Sequence, residues 1–188
     1  MNITFKNYTI EIIDDATYAI QSSFNASNYK FEYNNGKINT SKIYTIYKRG
    51  IRITDNTSKS EYASAILFEN GGKSDLTEGI CSIEGGKLFT CVGDKLYNFN
   101  MPNLEVNWFK TLNFGTLHTI QPFKDDLIIH GELGIMNLNH SGEIKWKFMG
   151  GGGIFTPGKG KLKLSNSHIE VKDGNDRTYI LDEFSVEQ

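Results

Sequence analysis

The chain has 188 residues and is rich in turn-forming types, with 19 Gly and 18 Asn but only 5 Ala and 3 Pro. Ala is the best intrinsic helix former, whereas Gly and Asn tolerate tight turns, so the composition favours short strands and argues against an all-α bundle. The length suits one domain whose core needs neither disulfides nor a metal ion. A net charge of −2 gives no general attraction to nucleic acid or anionic membranes.

The N-terminal segment shows no targeting signal. Its first residues lack the apolar stretch of about 7–15 residues that a signal peptide needs. No run elsewhere approaches the roughly 20 apolar residues of a membrane span. We therefore expect a soluble, cytoplasmic protein that has no membrane partner and binds no nucleic acid directly.

An internal repeat runs through the chain. Residues 88–100 recur as residues 127–139 at an offset of 39, and the following Trp108 and Trp146 match at an offset of 38. Weaker copies lie on both sides, and the equivalent positions are Ile10, Ile51, Leu96, Ile135 and Ile169. Their spacings of 41, 45, 39 and 34 residues lie near the length of a four-stranded propeller blade, about 40 residues.

Each copy alternates strands with Gly or Asn turns, which is the chemistry of hairpins, so the sheets should be antiparallel. The sequence therefore predicts an all-β fold of five blade-like antiparallel repeats, arranged as a small β-propeller or an open propeller-like array in a single domain, 1–188. The predicted units are about 1–21, 23–68, 76–112, 115–149 and 152–182.

The first unit contains the one segment with mild helical character, residues 14–21, where Asp15 could cap a short helix. The repeat favours another structure. Alignment with the last unit matches Tyr18 with Tyr179, and it predicts that residues 18–20 form a closing strand.

Residues 134–148 resemble the blade motif of quinoprotein-like and WD40-like β-propellers. The motif is a strand ending in Leu138-Asn139, a turn at Ser141-Gly142, and a strand containing Trp146. The resemblance implies that the tryptophans pack between blades. It does not extend to the quinone, because the sequence lacks the adjacent cysteines found beneath that cofactor, and we expect no cofactor.

The glycine-rich stretch 150–160 includes the pattern G-x-x-x-x-G-K of a phosphate-binding loop. Gly160 stands where that loop needs a Ser or Thr hydroxyl. The residues that follow read as a strand, whereas the motif requires a helix. We interpret the stretch as a loop between blades.

Neither the histidines nor the cysteines show the spacing of a metal site. The histidines are His118, His130, His140 and His168. His118 and His130 flank one predicted hairpin, where they can face each other as a polar pair on the strand surface. Cys81 and Cys91 lie ten residues apart and are interpreted as reduced, buried strand thiols.

Charge is unevenly distributed. Residues 1–73 carry 9 basic and 7 acidic residues and residues 74–188 carry 11 and 15, which gives +2 and −4. The acidic C-terminal region is either a solvated tail or a face that steers a basic partner. On the second reading, acids and nearby exposed aromatic anchors form the partner-binding site: Asp173, Asp176, Asp182, Glu183, Phe155 and Phe184.

No set of catalytic residues emerges from the sequence, and we favour a non-enzymatic protein-binding module. Its Asn, Lys and Ile content and small size resemble bacterial immunity proteins, which bind and neutralise a cognate toxin such as a basic nuclease. One alternative is a protein that binds carbohydrate or another small ligand through its aromatic residues. A second is a hydrolase with a site in a central pocket, marked by carboxylates or a His–carboxylate pair that converge at one end of the array.

Overall fold

The computed structural model describes residues 1–20, 22–34, 37–38, 47–69, 76, 79–150, 155, 161–165 and 167–181. These residues form strands, turns and loops with no helix, which confirms the all-β prediction. Within the same residues, no helix is present that is long and apolar enough to cross a membrane.

The strands make four sheets, named A to D. Sheet A contains β1 (Asn2–Phe5), β2 (Tyr8–Asp14), β3 (Phe31–Asn34), β4 (Lys37–Ile38), β5 (Tyr47–Asp55) and β6 (Glu61–Glu69). Sheet B contains β7 (Cys81–Glu84), β8 (Lys87–Val92), β9 (Lys95–Asn100) and β10 (Glu105–Thr111). Sheet C contains β11 (Leu117–Phe123), β12 (Asp126–Gly131), β13 (Gly134–Leu138) and β14 (Ile144–Phe148). Sheet D contains β15 (Leu162–Leu164), β16 (Ile169–Lys172) and β17 (Thr178–Leu181).

Sheets B, C and D follow the chain order and are fully antiparallel, as predicted. Sheet A differs, because its order is β1-β2-β5-β6-β3-β4 and β3 runs parallel to β6. The first two predicted units therefore share one six-stranded sheet. Five separate blades are not confirmed, and the sheets do not close into a ring.

The predicted closing strand at residues 18–20 is wrong. These residues lie in a turn region after β2. Tyr18 is buried against Ile66 and Phe68, on the face of sheet A opposite to the one that packs on sheet B. Covering these apolar side chains explains why the segment leaves the strand geometry that the repeat predicts.

The core lies between the sheets. Ile10, Ile12, Ile51 and Ile53 alternate with partly exposed residues along β2 and β5, and they pack into a cluster that also contains the facing side chains of sheets B and C. A second, smaller cluster lies between sheets C and D. Burying one such aliphatic side chain contributes about 1.5–3 kcal/mol, so packing between neighbours stabilises each sheet.

The repeat has a structural basis in the turns that follow β13 and β16. Asn139 Oδ1 accepts the backbone N–H groups two and four residues later, at 3.0 and 2.9 Å. Asp173 Oδ1 accepts the equivalent pair at 2.9 and 3.0 Å. Gly142 and Asp176, three residues after them, both have positive φ angles, 84° and 60°. The excess of Asn and Gly in the sequence thus meets the needs of particular turns.

The tryptophans pack between sheets, as the resemblance implies. Trp108 on β10 donates Nε1–H to the carbonyl oxygen of His140 at 3.1 Å, and its ring lies against Gly142 of the turn after β13. Trp146 packs on the cluster between sheets C and D. In sheet D, Tyr179 takes the equivalent place next to β16.

One end of the array, which we call the connection end, gathers the contacts between sheets A, B and C. It comprises the C-terminal ends of β2, β6, β10 and β14, the turns at residues 92–95 and 131–134, and the connection at residues 112–116. Backbone bonds join these pieces: Leu112 N–H to the Asp94 carbonyl at 3.0 Å, and Glu132 N–H to the Thr116 carbonyl at 3.0 Å.

Candidate functional site

The connection end contains a buried polar cluster between sheets A and B. Strand pairing places its members together, because Arg49 and Tyr47 at the start of β5 lie opposite the ends of β2 and β6. Sheet B supplies the remaining side chains from the start of β9. The polar cluster consists of Asp14, Tyr47, Arg49, Glu69, Lys95 and Tyr97.

The first half of the polar cluster is built on Arg49, which is fully buried. Its guanidinium lies 3.4 Å from Asp14 Oδ1 and donates to the Cys91 carbonyl oxygen across the sheet interface at 3.2 Å. It also donates to the Tyr47 hydroxyl, which in turn donates to Asp14. Burial, followed by the bond to Asp14, raises the pKa of Tyr47 to about 12, so the phenol remains a donor at neutral pH.

The second half is built on Glu69, whose side chain is 1% exposed. Lys95 Nζ lies 2.5 Å from Glu69 Oε2, and the Tyr97 hydroxyl donates to Glu69 Oε1. The polar cluster therefore pairs two carboxylates with two cations and two phenols. Because every carboxylate is engaged, the arrangement is suited to fixing sheet A on sheet B rather than to accepting a proton from a substrate.

The histidine pair predicted from the hairpin does form. The rings of His118 and His130 lie 5.7 Å apart between centroids, at an interplanar angle of 69°. Their expected place on the strand surface is wrong, since both side chains are buried. The His130 ring also packs edge-on to Phe155, at 6.3 Å.

The two cysteines are free and buried in β7 and β8, which confirms their interpretation as reduced strand thiols. Burial raises the pKa of Cys81 to about 12 and that of Cys91 further. Thiols with such raised pKa values are poor nucleophiles and poor metal ligands at neutral pH.

The structure separates the predicted partner-binding residues. Phe155 is fully buried between sheets C and D, so its predicted exposure is wrong. Asp173 is also buried, with its carboxylate turned into its own turn and bonded to the Tyr179 hydroxyl at 3.1 Å. Asp176 is exposed and pairs with Lys161 at 2.5 Å. The other predicted members, Asp182, Glu183 and Phe184, lie outside the described residues, as does most of the glycine-rich stretch 150–160.

Asp173 thus shapes the turn between β16 and β17. Burial raises its pKa, but the N–H donors of Arg177 and Asn175 and the Tyr179 hydroxyl outweigh that effect and hold the pKa below its ordinary value. We expect Asp173→Ala to lower the melting temperature by at least about 4 °C, because three hydrogen bonds are lost, and Asp176→Ala to lower it by less than about 2 °C. Thermal unfolding followed by circular dichroism measures both shifts, and equal shifts would contradict this role for Asp173.

Two exposed apolar side chains at the connection end were missed by the sequence reasoning. Leu133, in the turn after β12, is 41% exposed, and Met149, directly after β14, is 60% exposed. They lie close together, since a Cβ built on Gly134 would be 3.2 Å from Met149 Cα. No sequence signal marks them, because an isolated Leu or Met beside a glycine is common in turns. We call them the apolar pair.

A groove of about 430 Å³ lies at the boundary of sheets C and D, away from the polar cluster. It is lined by Pro122, Phe123, Lys124, Leu164 and Ser165. The Ser165 hydroxyl bonds to the His168 carbonyl at 2.8 Å within its own turn. Within the described ranges, no group of three or more His, Cys, Asp or Glu side chains is placed to hold a metal ion.

The fold is similar to a known propeller. No protein-family model and no curated protein matches the chain. The crystal structure of BamB from Moraxella catarrhalis superposes with a TM-score of 0.53 and 13% sequence identity, over 78% of this chain and 44% of that one. The chain thus spans less than half the length of BamB. At this identity the likeness shows the fold alone, and the architecture is propeller-like.

Proposed function

We propose that this chain is a non-enzymatic protein-binding module whose binding surface is the connection end. The observation that carries the proposal is the apolar pair, Leu133 and Met149, exposed beside the turns and connections that join the sheets. The buried centre of a protein interface is more apolar than the rest of the surface and is enriched in Met, so an exposed apolar pair suits such a place. The propeller-like fold by itself does not determine function, so the argument depends on this surface.

Backbone hydrogen bonds hold the residues next to the apolar pair. The Leu133 N–H lies 3.4 Å from the Phe114 carbonyl oxygen, and the Phe155 N–H donates to the Glu132 carbonyl oxygen at 2.7 Å. Further along the same end, the polar cluster fixes sheet A on sheet B. A surface whose backbone is already ordered loses less conformational entropy on association, which favours binding.

The test is to replace both members of the apolar pair with charges. We expect Leu133→Asp/Met149→Asp to weaken capture of partner proteins at least tenfold, because two anchors are lost, while the far-ultraviolet circular dichroism spectrum stays unchanged. The matched control is Phe24→Asp, which changes a side chain that is 96% exposed on the segment over sheet A. Quantitative mass spectrometry of proteins captured by the three forms measures the effect. Partners retained equally by all three would overturn the proposed surface.

A narrower form of the proposal is that the module is a bacterial immunity protein that neutralises a toxin encoded by a neighbouring gene. The support is its small size and Asn-, Lys- and Ile-rich composition. Steering by an acidic face has less support, because Asp176 and Glu170 are paired with lysines. Co-expression of the unaltered chain with the neighbouring toxin should restore growth, and co-expression of Leu133→Asp/Met149→Asp should not. Growth arrest in the presence of the unaltered chain would contradict the immunity role.

A further inference from the structure

The His118–His130 pair lies where sheet D attaches to sheet C. His130 is 2% exposed, and its Nε2 atom is buried with no hydrogen-bond partner among the described residues. Its ring contacts Phe155, which packs in turn against Phe148 and Tyr179, at 6.3 and 6.1 Å. The contact between sheets C and D therefore includes a titratable ring, that of His130.

Among the described residues, the attachment of sheet D is small. Its cluster there has six buried members: Ile128, Ile135, Phe155, Ile169, Val171 and Leu181. The cluster that joins sheets A, B and C is several times larger and is reinforced by the polar cluster. Regions with few buried apolar contacts open at lower free energy than the rest of a protein. Sheet D is thus the part of the array that a modest loss of stability would release first.

In the described part of the chain, few groups near the pair can neutralise a charge on His130. On β11 the neighbour is His118; in the turn after β12 it is Glu132, whose Oε2 accepts the Thr116 N–H at 2.8 Å. From sheet D come Tyr179 and, behind it, Asp173, which are bonded to each other. Most of the other described side chains that sheets C and D turn toward this interface are apolar, and the buried Asn137 of β13 adds only an uncharged amide. The apolar ones include Ile128, Ile135, Phe148, Leu162, Leu164, Ile169, Val171 and Leu181.

Burial, and after it the neighbouring His118, lowers the pKa of His130 from 6.5 to about 4. Between about pH 4 and pH 6.5, the packed His130 ring is therefore neutral, whereas a solvated imidazole is protonated. The contribution of His130 to the attachment is fully present above pH 6.5, and it is lost progressively as the pH falls from 6.5 through about 4.

We propose that the His118–His130 pair makes the attachment of sheet D acid-sensitive. As the pH falls, the imidazole is protonated only when sheet D is detached, and this shifts the equilibrium toward the detached form. Sheets A, B and C stay folded. The surface uncovered on sheet C is the apolar face around Ile128 and Ile135. This inference concerns the attachment alone and does not depend on the proposed binding surface.

Hydrogen exchange of the full chain at pH 7.5 and pH 5.0, corrected for intrinsic rates, tests the proposal. We expect peptides from residues 161–181 to lose at least tenfold protection at pH 5.0, and peptides from β8 and β9 to change less than twofold. In His130→Leu, which has no titrating ring, residues 161–181 should change less than twofold. The matched control His140→Leu should behave like the unaltered chain. Equal loss in sheets B and D, or acid sensitivity retained in His130→Leu, would overturn the proposal.

A second measurement needs no variant at position 130. The ring-proton resonances of the four histidines can be followed by nuclear magnetic resonance between pH 8 and pH 4, with His118, His140 and His168 variants for assignment. We expect the His130 resonance to stay at its neutral position above pH 5.5 and to move only as sheet D loses protection. A His130 midpoint near 6.5 with sheet D still protected would contradict the acid-sensitive attachment.

Discussion

Glu69→Gln is expected to lower the free energy of unfolding by about 3 kcal/mol, because it removes the nearer carboxylate of the buried Lys95 ammonium and leaves only Asp94, at 3.7 Å. Lys95 Nζ lies 2.5 Å from Glu69 Oε2, and the two side chains are 9% and 1% exposed. The same change also weakens the hydrogen bond that the Tyr97 hydroxyl donates to Glu69. Urea denaturation at pH 7 measures the loss as a shift of the midpoint.

The double variant Glu69→Leu/Lys95→Met is the informative companion. Because it removes both charges, we expect it to cost less than Glu69→Gln alone. Measured against the single variants Glu69→Leu and Lys95→Met, the coupling energy should be at least about 2 kcal/mol. Lys145→Met is the matched exposed control: Lys145 pairs with Asp126 at 2.7 Å but is 51% exposed, so its loss should cost about 0.5 kcal/mol. Additive effects of the two changes would show that the pair does not act as a unit.

Gly134→Ala is expected to lower the free energy of unfolding by about 4 kcal/mol. Gly134 begins β13 with a φ of 147°, and an added Cβ would lie 2.0 Å from the backbone oxygen of Phe148. The obstacle is backbone of the paired strand β14, so no side-chain rotation relieves it. The ends of β13 and β14 must move apart locally, and this displaces the neighbouring Leu133 and Met149.

Gly86→Ala separates this clash from the general cost of a positive φ. Gly86 lies in the turn between β7 and β8 with a φ of 77°, and nothing lies within 4 Å of an added Cβ. We therefore expect a loss of only about 1 kcal/mol. Denaturation of the two variants side by side measures the difference, and similar losses would mean that close approach at Gly134 contributes little.

The parts of the fold that follow from local pattern could be predicted. Sheets B and C are built from hairpins whose alternating apolar residues and Gly or Asn turns are visible in the sequence. The equivalence of residues 88–100 and 127–139 is repeated in the pairing of Asn98 with Trp108 and of Asn137 with Trp146. These features depend on residues that are close in sequence, and the sequence pattern therefore predicts them.

The parts that depend on long-range pairing could not be predicted. The parallel contact of β3 with β6 joins residues about 34 positions apart, and no periodicity distinguishes it from a hairpin. The polar cluster collects charges from four separate strands, each of which resembles a solvated residue in the sequence. Phe155 lies two residues after a run of four glycines, which predicts an exposed position, but the aromatic cluster with Phe148 and Tyr179 buries it.

The role of the connection end is tested most directly by the affinity of a purified partner, first identified by capture, for three forms of the chain. Isothermal titration calorimetry should give an unchanged dissociation constant for Phe24→Asp and one raised at least tenfold for Leu133→Asp/Met149→Asp, which corresponds to about 1.4 kcal/mol of binding free energy. The same dissociation constant for all three forms would contradict the proposal that the connection end binds the partner.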